Sequence, residues 1–132
     1  MSKPILIIED NEQNLYLMRF LLEANGLQVA AATNGPEGLR MASELRPAAI
    51  LLDIQLPVMD GYAVAGQIRK QGALADVPII AVTSYAMVGD RERILAAGAT
   101  DYIEKPINPD TFVAQIRRHL GSGQGGEPCR AP

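Results

Sequence analysis

The chain is poor in residues on which several functional classes depend. Cys129 is its only cysteine in 132 residues, so no intrachain disulfide can form. His119 is its only histidine, and without a His/Cys cluster a zinc centre has no ligand set. No apolar run approaches the roughly 18 residues of a membrane-spanning helix. The first run, "ILII" at 5–8, stops at Glu9 and follows directly on Met1-Ser2-Lys3-Pro4, without the longer apolar stretch of a secretory leader. A cytoplasmic protein is expected. Positive charge is not in excess either. A net charge of −3 argues against general affinity for nucleic acid or anionic membranes, so neither direct DNA binding nor membrane association is expected.

What is present fits one globular domain. Hydrophobic residues make up 48% of the chain, ordinary for a soluble fold and too many for a disordered one. Short apolar runs alternate with amphipathic segments of helix length. The runs are "ILII" (5–8), "QVAAA" (28–32), "AILL" (49–52), "IIAV" (79–82) and "YI" (102–103). Between them, Leu15, Met18 and Leu22 fall at helical spacing, as do Leu39, Ala42 and Leu45, then Val64, Ala65 and Ile68. Ile94, Leu95 and Ala97 carry a short fourth helix, and Phe112, Val113, Ile116 and Leu120 a fifth, with Gly26, Gly72, Gly98 and Gly121 as stops. The pattern predicts a doubly wound (βα)5 α/β fold, a parallel sheet covered on both faces, joined by connections of two to eight residues. The domain is expected over residues 1–120. The stretch "GSGQGGEPCRAP" at 121–132 reads as a flexible tail, in which Cys129 is an incidental thiol.

The stretch "ILLDIQLPVMDGY" (50–62) poses the functional question, because its apolar run ends on a bare carboxylate, Asp53, with no base beside it. A charge at the rim of a core is costly unless something answers it. Other polar residues stand at matching places. Glu9 and Asp10 follow the first strand, Thr83 and Ser84 the fourth, and Lys105 ends the fifth. In a parallel sheet these ends share one edge, where open α/β sheets bind ligands. Taken singly, each acid is ordinary as a solvated loop carboxylate or a helix cap, Lys105 as a surface lysine and Thr83 as a strand-end hydroxyl. As a set on one edge they are hard to attribute to chance. His119, on the last helix and away from the acids, is expected to face solvent or the helix C-terminus.

Three carboxylates and one lysine leave net negative charge, which a hard divalent cation would neutralise: Mg²⁺, or Mn²⁺ in its place. An aspartate can attack phosphorus to give an aspartyl-phosphate. Phosphoryl transfer then needs alignment, a metal and fixed donors. Asp53 can attack, Glu9 and Asp10 can hold the metal with the backbone carbonyl of Gln55 as a further oxygen, and Lys105 and Thr83 can contact phosphoryl oxygens.

These residues resemble the receiver domain of two-component response regulators, the CheY-like superfamily, over about residues 4–120. The signature is "ED" (9–10), "DIQLPVMDG" (53–61), "TS" (83–84) and "KP" (105–106), in order on a (βα)5 pattern. The resemblance implies a flavodoxin-like sheet of order 2-1-3-4-5. It makes Asp53 look like the phosphoacceptor, Glu9 and Asp10 like the metal-binding pair, Thr83 like the switch hydroxyl, Tyr102 like the switch aromatic and Lys105 like the phosphate-sensing lysine. It further implies a cis bond before Pro106, a loop stiffened by Pro57, and Asp60 as a helix cap. Glu9 stands where Asp is commoner, and Ser84 where a small apolar residue is usual.

"EDNEQNLYL" and "AVTSYAMVGDRERILAAGATDYIEKPIN" look especially like DivK-type single-domain regulators and receiver domains of hybrid kinases. The function implied is a stand-alone phosphorelay module and not a turnover enzyme. A sensor histidine kinase or histidine phosphotransfer protein would load it. A downstream protein would read the face of the fourth helix, fifth strand and fifth helix, including Tyr85, Arg91, Tyr102 and Arg117. Other readings fit less well. A haloacid-type aspartyl-phosphate hydrolase carries an acid where this chain has Gln55, and needs a cap. A flavodoxin-like cofactor binder lacks its phosphate loop, since "EDNEQ" would repel an anion. A phosphorylation-independent adaptor would have no use for the intact acid cluster.

Overall fold

The computed structural model describes residues 3–56, 59–84 and 88–121. The expectations for Pro57, Tyr85, Cys129 and the remainder of the tail concern residues outside the described ones. The chain alternates β1 (Ile5–Ile8), α1 (Glu12–Ala24), β2 (Val29–Ala32), α2 (Gly35–Leu45), β3 (Ala49–Asp53), α3 (Gly61–Arg69), β4 (Ile79–Thr83), α4 (Val88–Ala96), β5 (Asp101–Glu104) and α5 (Pro109–Gly121), with a single 3-10 turn at Gly72–Leu74. All five strands are parallel, in the order β2-β1-β3-β4-β5.

Each strand sends successive side chains to opposite faces. Ile5, Ile7, Ala49, Leu51, Ile80, Val82 and Ile103 therefore join Met18, Leu22, Phe112 and Ile116 in the core beneath α1 and α5. Leu6, Ile8, Ile50, Leu52 and Ile79 join Ala42, Val64, Ala65 and Ile68 beneath α2 and α3. Burying each such aliphatic side chain contributes about 1.5–3 kcal/mol, which is why β1, β3 and β4 are apolar on both faces.

Local signals place the helix starts at the carboxyl edge of the sheet. Asn11, Asn34 and Asp60 cap α1, α2 and α3 by accepting from Asn14 N, Glu37 N and Ala63 N. Gly26 and Gly98 follow α1 and α4 with φ of 84° and 119°, the left-handed region in which a side chain is disfavoured.

The strands and helices fall where the pattern predicts, with shifted ends. β2 begins at Val29 and not Gln28, β4 takes in Thr83, β5 spans 101–104, and Gly121 is the last residue of α5. The α3–β4 connection, 70–78, exceeds the expected limit of eight residues because α3 stops at Arg69 and the 3-10 turn follows. Arg69 organises this connection. Its guanidinium donates to the carbonyl oxygens of Leu74, Ala75, Val77 and Gly98 at 3.1, 3.1, 2.7 and 2.9 Å, and to Thr100 Oγ1 at 3.2 Å.

Candidate functional site at the carboxyl edge

The parallel register brings the polar residues together. Ile8 pairs with Leu52, so Glu9 and Asp53, each one residue further on, emerge side by side. Asp53 pairs with Val82, which sets Thr83 one step beyond, and Thr83 pairs with Glu104, which sets Lys105 one step beyond that. Ligand oxygens of Glu9, Asp10 and Asp53 lie within 4.8 Å of one another. Asp10 is exposed, whereas Glu9 and Asp53 are only 0% and 2% accessible.

Asp53 is not without a base beside it, as its neighbours in sequence suggested. Lys105 Nζ lies 3.5 Å from Asp53 Oδ1 and 3.4 Å from Glu9 Oε1, delivered by a backbone bond from Lys105 N to Thr83 O at 2.8 Å. The Lys105–Pro106 bond is cis. Gln55 N donates to Asp53 Oδ1 at 2.9 Å, and Asn11 N to Glu9 Oε2 at 3.2 Å.

Glu9 is the electrostatic weak point. Burial pushes its carboxyl up to about 7, with hydrogen bonding to Asp53 and the Asp53 charge adding to the rise. Asn11 N–H and Lys105 oppose the shift without cancelling it. Oε1 of Glu9 has no hydrogen-bond partner, Lys105 being at ion-pair distance only. A proton on Glu9 lets it donate to Asp53, while an ionised Glu9 beside an ionised Asp53 needs a cation. A tight set of hard oxygens, one of them buried and unsatisfied, fits a divalent metal ion of the Mg²⁺ type.

The structure also revises the expected surroundings. Tyr102, the first residue of the expected fifth run, is the second residue of β5. It pairs with Ala81, two residues before Thr83 and so on the same face, and packs beside Ile54, Ala81 and Ile94. Arg117 donates to Asn25 O at the end of α1, 2.7 Å away, so it faces α1 and does not belong to an α4–β5–α5 surface. His119 stands in the last turn of α5, one of the two settings expected for it, and is half-buried there. Its Nε2 lies 2.9 Å from Asp101 Oδ2 on β5. Burial raises the Asp101 carboxyl, but hydrogen bonds from His119, Gln115 and Tyr102 N and the His119 charge together outweigh it and hold the group below the usual range.

Sequence reasoning missed the side chain of Gln55, assigned only for its carbonyl. Its Oε1 accepts from Ser84 N at 3.3 Å and ties the segment after Asp53 to the segment after Thr83. It also missed two stacked pairs across α4, Arg91 over Tyr102 and Arg93 over Tyr62. Sequence separation hides both, since neither pair falls at a helical or strand spacing.

A five-stranded 2-1-3-4-5 sheet with an acid cluster at its carboxyl edge is the CheY-like form of the flavodoxin-like fold. The response regulator receiver domain model matches residues 5–117, and the chain belongs to that family, the signal-receiving module of two-component systems. It is 45% identical to the polar-differentiation response regulator DivK of Brucella anthropi over 121 residues, 92% of this chain and 98% of that one. Among solved structures it is similar to the receiver domain of a sensor histidine kinase from Pseudomonas aeruginosa, which holds a magnesium ion in its active-site cleft, with 38% identity and a TM-score of 0.85 over 92% of this chain and 99% of that one. Chemotaxis protein CheY4 of Vibrio cholerae is 28% identical, with a TM-score of 0.86 over 91% of this chain and 100% of that one. No helix among the described residues is long and apolar enough to cross a membrane.

Proposed function

We propose that Asp53 accepts a phosphoryl group from a phosphohistidine of a sensor kinase or phosphotransfer protein, and that a partner protein reads the altered surface. An oxygen of Asp53 forms the new bond to phosphorus as the P–N bond to the donor imidazole breaks, and the imidazole leaves with the electron pair. Glu9, Asp10, Asp53 and the Gln55 carbonyl would hold Mg²⁺, which supplies charge neutralisation of the transferring oxygens. Lys105 provides a second positive charge, and the Thr83 hydroxyl a donor. Gln55 N fixes the rotation of the acceptor carboxylate.

The observation that carries this reading is the convergence of Glu9, Asp10 and Asp53 within 4.8 Å, with Lys105 reaching two of them. The module signals by changing its surface and does not turn over a substrate. The side chain at the position of a hydrolase acid, Gln55, is neutral and engaged with Ser84 N. The reading surface is the face of α4, β5 and α5, with Arg91 and Tyr102 on it. Intact-mass measurement with acetyl phosphate, with Mg²⁺ or EDTA, tests the chemistry. One phosphoryl mass is expected on the wild type with Mg²⁺ only, and none on Asp53→Asn. Equal modification of both proteins would overturn the assignment.

A further inference from the structure

Helix α4 is held differently from the other helices. Among its described side chains only Ile94 is buried, in a small cluster with Ile54 and Ala81, and Leu95 stands 47% exposed. Its C-terminal end is pinned, because Arg69 donates to Gly98 O at 2.9 Å and to Thr100 Oγ1 at 3.2 Å. Closer to the acid cluster, two arginines grip aromatic rings on either side. The Arg91 guanidinium carbon lies 5.4 Å from the Tyr102 ring centroid, and that of Arg93 lies 4.5 Å from the Tyr62 centroid. Residues two apart on a helix point about 200° apart, so the rings of β5 and α3 clasp α4 from opposite sides.

We propose that the Arg93–Tyr62 pair is a latch that holds α4 in its resting position against α3 and is released when Asp53 is phosphorylated. The response half rests on the reading of Asp53 as acceptor. Tyr62 is well placed to report on that residue. It follows Gly61, whose N–H donates to Ile54 O at 2.9 Å, and Ile54 follows Asp53 directly. The Tyr62 ring packs on the same cluster as Ile54 and Ile94. A shift of the segment after Asp53 therefore reaches Arg93 through α3, without passing through Thr83 or Tyr102. A cation held over a ring at a partly exposed site is worth about a two- to fivefold change in a local equilibrium.

Hydrogen exchange on the full chain tests the latch. Without a phosphoryl donor, Arg93→Met and Tyr62→Leu should each speed exchange of α4 amides about two- to fivefold. Arg93→Lys and Tyr62→Phe, which keep a cation and a ring, should change it much less. The double variant should match the singles. With acetyl phosphate and Mg²⁺, the further increase seen in the wild type should shrink in Arg93→Met. Wild-type exchange of α4 in Arg93→Met, or effects of the two singles that add fully, would overturn the latch. If the resting effects hold but no variant gains a phosphoryl mass at Asp53, the acceptor reading falls and the resting latch stands.

Discussion

Lys105 Nζ stands 3.4 Å from Glu9 Oε1, a buried oxygen that no hydrogen bond satisfies. The lysine therefore answers two buried acids, Glu9 and Asp53, with one charge, and that pair is one positive charge short whenever both are ionised. That shortage has measurable consequences.

The first is a pH dependence of metal-free stability. Glu9 titrates at about 7 in the folded chain against 4.5 for the ordinary group. Between these values the folded state keeps a proton that the unfolded state has lost. The Glu9 contribution to stability thus falls as pH rises through this window and is flat above it, a loss on the order of 3 kcal/mol. Urea unfolding in EDTA at pH 5.5 and 8 should show the decline in the wild type and a much smaller one in Glu9→Gln. Mg²⁺ affinity should run the opposite way, strengthening up to about pH 7 as the competing proton leaves.

Lys105→Gln should lower metal-free stability at pH 8 by about 2 kcal/mol, because removing one partner leaves two buried like charges facing each other. The loss should be smaller at pH 5.5, where Glu9 keeps its proton. Millimolar Mg²⁺ should raise the Tm of this variant more than that of the wild type. An equal Mg²⁺ shift in both proteins would mean that Lys105 does not offset the acid charge.

Gly61→Ala should damage the site through backbone. A Cβ at this position would lie 2.5 Å from Ile54 Cα and 2.7 Å from Asp53 O, neither of which can rotate away. A cost of about 2 kcal/mol or more is expected in thermal unfolding, with slower modification of Asp53. Gly66→Ala, where a Cβ meets nothing within 4 Å, is the matched control.

Asp101 supplies an acid limb. Its carboxyl is held low, so its stabilising contribution is present above the unfolded pKa and lost as pH falls through the folded one. Asp101→Asn should cost about 1 kcal/mol at pH 7 and progressively less toward pH 3, read by chemical unfolding.

The order and type of the elements were legible because apolar residues repeat with two different periods, and because Asn11, Asn34 and Asp60 cap where helices begin. The convergence of Glu9, Asp53, Thr83 and Lys105 followed from topology alone, since parallel strands end on one edge. Side-chain direction was not legible. Nothing in the string tells that Arg117 turns to Asn25, or that His119 reaches Asp101, because both depend on how α5 is rotated on the sheet. Arg69 was invisible for a related reason. Four of its five partners are carbonyl oxygens, which every residue carries.

That arginine changes what kind of segment residues 70–78 are. A connection of this length is ordinarily where a chain tolerates an inserted residue or an entering protease. Here three carbonyls of the connection and one beyond α4 share a single guanidinium. Lengthening it by one residue would release several of these bonds at once and free the far end of α4. The longest turn on the amino edge is in this sense a fixed bracket.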